Sequence, residues 1–239
     1  MIIITTLYNA ENYVEKCIFS LMSQTYKNFT CYITDDLSTD KSVEIVKKTI
    51  EGDDRFKLIV NTEKKYQPGN YDQVIRHNEN ITDDDIIVEV DGDDWLPDPK
   101  TLERISKVYE DKNVWIANGS FKYHDGRIGF SSKQENFDNL RKSRFTASHI
   151  RTWRAFLWRK IEQNDLKDEH GVYWKVTGDL SFMYPMLEMS GEEHYRFMTD
   201  VNYIYNESNP LNDHKVDIML VNEIANKIRN KQKYKKLIR

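Results

Sequence analysis

Residues 1–36 read MIIITTLYNA ENYVEKCIFS LMSQTYKNFT CYITDD, and this stretch decides the fold. Met1 to Thr6 is an apolar run of strand length. From Glu11 to Gln24, the residues Val14, Cys17, Ile18, Leu21 and Met22 recur at helical spacing and form one core-facing stripe. Thr30 to Asp35 is again of strand length and rich in β-formers. A strand, an amphipathic helix and a second strand in this order make a βα unit that feeds a parallel sheet.

The same alternation continues outward. Phe56 to Asn61, Ile86 to Asp91 and Val114 to Asn118 read as strands. Asp40 is placed to cap a helix from Lys41 to about Ile50. Another helix covers Asn70 to Asn80, and Asp98 followed by Pro99 opens one that runs to about Tyr109. The pattern predicts an α/β fold with a mostly parallel central sheet flanked by helices. After Ser120 it is less regular. Asp125-Gly126 marks a hairpin-like turn, Ser131 to Ser148 is polar, and aromatic-rich helical pieces follow in TASHIRTWRAFLW (146–158). Asp179 to Met189 reads as a helix, Tyr195 to Tyr205 as extended, and Asp213 to Arg239 as a final helix ending in many Lys and Arg. One domain is expected, with its two halves meeting near Asn118.

A chain of 239 residues with 39% hydrophobic residues can bury one substantial core. Its charged fraction is 31% but its net charge only -4, which excludes the strongly basic footprint of a nucleic-acid binder. An anionic ligand must therefore be met by a local site. Neither a basic leader nor an apolar stretch of membrane-spanning length is present, so a cytoplasmic protein is expected. Cys17 and Cys31 each fall in an apolar pattern and read as two buried thiols.

The segment IIVEVDGDDWLPD (86–98) carries the chemistry. It places Asp91, Asp93 and Asp94 directly after a buried strand, where ligands gather in open α/β sheets. Two carboxylates one residue apart can hold a hard divalent cation and leave positions open for phosphate oxygens. A nucleotide diphosphate leaving group needs such neutralisation, because negative charge grows on its β-phosphate. The alternative is a plain polar turn, which Asp-Gly-Asp-Asp also suits.

With these blocks in order, the chain resembles glycosyltransferase family 2. The likeness rests on TTLYNAENYVEKCIFSLMSQTYKNFTCYITDDLSTD (5–40), VEVDGDDWLPD (88–98) and GDLSFMYPML (178–187). It implies a GT-A (Rossmann-like) fold and transfer of a sugar, with inversion, from a nucleotide-diphosphate donor to an acceptor hydroxyl. Residues 1–118 would be the nucleotide-sugar-binding half, and residues 119–239 the acceptor-side half with the C-terminal helix. Thr6 and Tyr8 would contact the base, and Asp36 would accept a hydrogen bond from it. Arg76, downstream of Pro68-Gly69-Asn70, would lie near the nucleotide. Asp91 and Asp93, with His214 in NESNPLNDHK (206–215), would hold Mn²⁺ or Mg²⁺, and Lys215 would be a further phosphate contact. A UDP-sugar is the expected donor. Asp179 would be the general base that deprotonates the acceptor.

Each of these residues has an ordinary role as well: packing for Tyr8, turn-shaping for Asp36, a solvated helix face for Arg76, helix capping for Asp179. One departure stands out. Where the family has Asp-Asp-Gly-Ser or Asp-Asp-Asn-Ser, this chain reads Asp35-Asp36-Leu37-Ser38, and Leu is a poor residue for a left-handed backbone. The turn is therefore expected to differ.

His149, Arg151 and Trp174 are candidates for an acceptor wall, since aromatic rings pack on sugar faces while polar groups hold hydroxyls. The acceptor would be a glycan, a lipid-linked glycan or a protein glycan. The basic run from Lys227 either touches an anionic membrane or is a solvated helix end. Two rival functions remain. A sugar-phosphate nucleotidyltransferase is disfavoured by the lack of a Gly-rich phosphate loop after the first strand. A non-catalytic nucleotide-sugar-binding protein is kept open by Leu37. A dehydrogenase is the weakest alternative, for want of G-x-G-x-x-G.

Overall fold

The computed structural model describes residues 1–212, 215 and 217–238. His214 lies outside the described residues.

Four parallel strands form the first half of the sheet: β1 (Ile2–Leu7), β2 (Thr30–Asp35), β3 (Phe56–Val60) and β4 (Ile86–Glu89). Helices α1 (Val14–Met22), α2 (Ser42–Thr49) and α3 (Tyr66–His77) connect them, and α4 (Thr101–Val108) follows. The second half supplies β5 (Ile116–Tyr123), β6 (Arg151–Arg154), α5 (Ala155–Arg159), α6 (Gly178–Ser190), β7 (Tyr195–Tyr205) and α7 (Ile218–Arg229). The seven-stranded sheet has the order β3-β2-β1-β4-β6-β5-β7. Among the described residues only β6 runs against its neighbours, pairing antiparallel with both β4 and β5. The sheet is mostly parallel, as predicted, and strands from both halves of the chain share it.

Side chains alternate across the strands, and the core divides accordingly. Ile2, Ile4, Ile87 and Ile116 face a cluster with α3, α5 and α6, while Ile3, Val88 and Ala117 face α1, α2 and α4. The predicted stripe of α1 holds: Val14, Cys17, Ile18 and Leu21 are fully buried. Cys17 and Cys31 are free, buried thiols. Asp40 accepts from Ser42 N at 2.9 Å and so caps the first turn of α2, while Asp98 accepts from Lys100 N at 2.8 Å ahead of α4.

Two expectations are corrected. TASHIRTWRAFLW is not helical throughout: residues 151–154 form β6, and a helix starts only at Ala155. Trp153, Phe156 and Leu157 have helical spacing, but the open edges of β4 and β5 demand a partner, and Trp153 pairs with Ile87 and Ile116. The final helix ends at Arg229, with residues 230–238 running back over the molecule. Tyr234 N and Leu237 N donate to Glu188 and Met189 O, at 3.0 and 2.8 Å. Among the described residues, no helix is long and apolar enough to cross a membrane. Three lysines of the basic run pair with the protein's own acids: Lys227 with Glu169 and Glu223, Lys231 with Asp165, Lys236 with Glu193.

Phe182 of α6 is fully buried, packed against Tyr71, Trp153 and Trp158 at ring distances of 5.6, 5.7 and 5.1 Å. Phe182→Ala leaves a cavity at the junction of α3, β6 and α6. It is expected to lower unfolding stability by about 3–5 kcal/mol, measured by denaturant titration.

Candidate active site

The carboxyl ends of β1, β2 and β4 open into a cleft of about 520 Å³, closed on its other side by the start of α6 and by residues 209–212. It is lined by Thr6, Tyr8, Asp36, Asp91, Asp93, His149, Arg151, Trp174 and Asp179 among others. The crevice beyond the strand ends is where this topology collects ligands.

The acidic turn follows β4 directly. Asp94 N donates to Asp91 O at 3.0 Å, and Gly92 N to Thr6 O at 2.9 Å. A Cβ on Gly92 would lie 2.7 Å from Leu7 Cβ, so only glycine lets the turn press against β1. The three aspartates then diverge. Asp94 is buried and accepts from Asn206 N at 2.6 Å, tying the turn to the end of β7. Asp93 accepts from Asn209 Nδ2 at 2.7 Å. Asp91 faces the cleft, with Thr6 Oγ1 at 3.5 Å. Burial, then repulsion from neighbouring carboxylates (Glu89 and Asp93 on Asp91, Asp93 and Asp91 on Asp94), holds Asp91 and Asp94 well above the usual carboxylate range, and burial also raises Asp93.

Behind Asp91 lies Glu89, a fully buried carboxylate that sequence reasoning missed. Its signal is a charge inside the apolar run IIVEV. Arg151 Nη1 donates to Glu89 Oε1 at 2.6 Å, and Arg151 Nη2 to Asp179 Oδ2 at 2.5 Å. Gln67 Nε2 adds 3.1 Å to Glu89 Oε1. Burial raises Glu89 to about 7, against the pull of Arg151. Arg151 is thus a charge partner at the cleft floor as well as a lining residue.

Asp179 sits in the first turn of α6, one residue inside the helix, where its Oδ1 accepts from Leu180 N at 3.0 Å. His149 also reaches the floor. It is buried, stacks on Tyr203 and Tyr205, and is held well below the ordinary imidazole range by burial and then by Arg151. Trp174 is 4% exposed and donates Nε1 to Asp165 O at 2.9 Å, so it offers the cleft little more than an edge.

At the other end of the cleft, Leu37 does adopt the left-handed backbone, with φ 65°, so the expected departure of the turn is corrected. The turn is retained in spite of its side chain because the interactions around it over-determine it. Asp35 Oδ2 accepts from Ser38 N at 3.1 Å. Asp36 accepts from Lys65 N, Tyr66 N and Asn61 Nδ2 at 2.8, 2.9 and 3.0 Å, which fixes the loop before α3. Lys64 Nζ donates to Asp36 O at 2.9 Å and stands 3.0 Å over the ring of Tyr8. Tyr8 keeps 43% exposure.

Arg76 does not join this cleft. Its guanidinium pairs with Asp72 at 2.6 Å and donates to the carbonyls of Trp158, Arg159 and Ile161, where it faces a separate opening. The exposed carbonyls at the end of α5 attract that cation more directly than a distant ligand could. Lys215 donates to Glu207 O and does not line the cleft.

The donor set suits a hard or borderline divalent cation. Glu89, Asp91, Asp93, Asp94 and Asp179 converge on one region, and Arg151 is the guanidinium among them. Glu89 Oε2 and His149 Nδ1 are buried without a hydrogen-bond partner among the described residues. Unmet buried acceptors beside a surplus of negative charge are what a bound cation would relieve.

Comparison with known proteins places the chain in a family. The model of glycosyl transferase family 2 matches residues 2–177, and the chain belongs to that family. EpsH of Bacillus subtilis (strain 168), named as a glycosyltransferase, is 23% identical over 206 residues, covering 84% of this chain and 57% of EpsH. The glycosyltransferase GlyA of Streptococcus pneumoniae serotype 4 is 29% identical over 157 residues, 58% of this chain and 20% of GlyA. The chain thus spans little more than half of the one relative and a fifth of the other. The fold is GT-A. Staphylococcus aureus TarS 1–349 in complex with UDP-GlcNAc superposes with a TM-score of 0.64 at 17% identity, covering 86% of this chain and 58% of that one. The mannosyltransferase PcManGT of Pyrobaculum calidifontis, in complex with GDP-Man and Mn²⁺, gives 0.59 at 17% identity, covering 98% and 65%.

The raised carboxyl of Glu89 has a consequence for stability. Below about pH 4.5 it is protonated folded or unfolded; between there and about 7 the folded state alone keeps its proton, so stability falls as pH rises through that window. The loss is on the order of 3 kcal/mol. In metal-free protein, Glu89→Gln is expected to flatten the decline of unfolding free energy between pH 5 and 8, measured by chemical denaturation across that range.

Proposed function

We propose that this chain moves a sugar from a nucleotide-diphosphate donor to an acceptor hydroxyl by single displacement with inversion. The observation that carries the reading is the meeting, in one cleft, of the acidic turn after β4 with Asp179 at the head of α6. Asp91 and Asp93 are the residues that would hold Mn²⁺ or Mg²⁺, and a bound cation would neutralise charge growing on the leaving diphosphate. The acceptor oxygen attacks the anomeric carbon, and the bond from that carbon to the β-phosphate oxygen breaks, its electron pair leaving with the nucleoside diphosphate. The acceptor proton passes to the Asp179 carboxylate. Arg151 and Leu180 N hold that carboxylate in one orientation.

A nucleotide sugar bound to TarS and to PcManGT supports the donor class. We favour a UDP-sugar as donor and a glycan, lipid-linked glycan or protein glycan as acceptor. Tyr8 offers an exposed ring to the base beside Lys64, and Thr6 lines the same cleft with its Oγ1 3.5 Å from Asp91. The surroundings of Asp36 favour a supporting part, since its oxygens already hold the loop before α3.

Calorimetry with a panel of nucleotide diphosphates and nucleotide sugars, with Mn²⁺ and then with chelator, tests the donor site. One nucleotide is expected to bind in a metal-dependent way, and Asp93→Ala to weaken it at least tenfold. Failure of every nucleotide under both conditions would overturn the assignment. Asp179→Asn is expected to keep donor affinity within about twofold while kcat drops by roughly 10²–10⁴. Unchanged turnover in that variant, or an NMR-observed product with retained anomeric configuration, would remove Asp179 from the role of base.

A further inference from the structure

The floor of the cleft holds a second constellation that the acidic turn does not account for. His149 lies just before β6, 7% exposed, its ring stacked at 4.6 Å on Tyr203 and 5.7 Å on Tyr205. The stacking fixes the ring, yet Nδ1 has no hydrogen-bond partner among the described residues. Glu89 is fully buried, and while Oε1 accepts from Arg151 and Gln67, Oε2 accepts from none of the described residues. One ligating atom each from Glu89, Asp91 and His149 lie within 4.8 Å of one another.

Two buried polar side chains with unmet atoms, converging with a third ligand of metal-binding type, are more than an acidic cluster. Donors on a shared ion stand at most about 4.2 Å apart, twice the usual bond length, so closing in by roughly half an ångström brings the set onto one cation. We propose that Glu89, Asp91 and His149 form a three-ligand site for a divalent first-row transition cation, with Mn²⁺ preferred over Mg²⁺. An imidazole among oxygen ligands gives that preference, because Mg²⁺ takes oxygen almost alone. Arg151 leaves room for this, since its guanidinium occupies only Oε1 of Glu89 and turns its other arm to Asp179. The rigid stacked ring places the nitrogen in advance, which lowers the cost of ordering it on binding. The inference deepens the transferase reading and concerns the same cation: Glu89 and His149 add to the Asp91 and Asp93 pair at their common ligand Asp91, and the imidazole ligand is His149 rather than His214.

Pulsed EPR of the Mn²⁺-loaded full chain tests it by detecting ¹⁴N coupling from a ligating imidazole. The coupling is expected in the wild type, lost in His149→Phe, which keeps an aromatic ring in the stack, and retained in His214→Gln. Glu89→Gln, nearly isosteric, is expected to weaken Mn²⁺ at least tenfold in a titration followed by loss of the free-ion signal. Absence of ¹⁴N coupling in the wild type, or its survival in His149→Phe, overturns the site. Nucleotide diphosphate binding is measured on the same samples. Metal-dependent nucleotide binding without the coupling sinks the His149 site and leaves the transferase reading standing, whereas the coupling without any nucleotide binding does the reverse.

Discussion

Arg151 is the counter-charge on which the rest of the site depends. Strand β4 ends by driving Glu89 into a fully buried position, and α6 begins with Asp179 pointing at the same floor. Two carboxylates cannot share that volume without a cation, and Arg151 meets both through separate nitrogens of its planar fork. Removing one partner of such a buried set strands the others, at about 3–5 kcal/mol. The guanidinium therefore pins three elements together: β4, β6 and α6. It can do so because β6 runs against β4 and β5. Its antiparallel insertion between β4 and β5 sets Asn118 opposite Arg151 and Ile87 opposite Trp153. On that register, Trp153 enters the aromatic core with Tyr71 and Phe182 while Arg151 lines the cleft.

The opposite wall is organised by a carboxylate in a different way. Asp36 collects two backbone N–H groups, an Asn side chain and, at 3.5 Å, the ammonium of Lys64. These interactions bring the chain into α3 with Tyr66 at φ 54°, and they accompany the left-handed Leu37 beside them. Each such residue costs on the order of 1–3 kcal/mol in isolation and persists where its surroundings leave no alternative. Burial lowers the affinity of Lys64 for its proton, against the pull of Asp36, and its ammonium lies on the face of Tyr8. An exposed ring, a cation on its surface and a rigid carboxylate behind them form the end of the cleft farthest along the sheet order from β6.

How much of this was legible follows from which interactions are local. The stripe of α1 and the alternation of β1 to β4 are written in residues close together in sequence, and the strand and helix expectations there fall close to the observed elements. The second half depends on pairing between distant segments. Trp153, Phe156 and Leu157 match a helical period, and nothing nearby in the chain says that β4 and β5 will leave a gap for β6. Arg76 likewise sits on a helix whose position was foreseen in outline, but its partners are the carbonyls ending α5, some eighty residues away. Glu89 did carry a local sign, a charge in an apolar strand, and the weight given to the Asp-Gly-Asp-Asp string beside it hid that sign.

That string shows why a structural and a functional reading of the same residues need not compete. As a plain turn it would need a tight approach to β1 and an anchor to the end of the sheet, and it has both: Gly92 against Leu7, and Asp94 on Asn206 N. Those contacts engage Asp94 Oδ1 and the backbone of Gly92, and they fix where Asp91 and Asp93 stand. The anchor comes from the end of β7, so the last strand of the second half sets the pose of the acidic turn made by the first. A ligand that draws on Asp91 thus meets a group already held from both halves, and whatever it gains is not offset by ordering a loop.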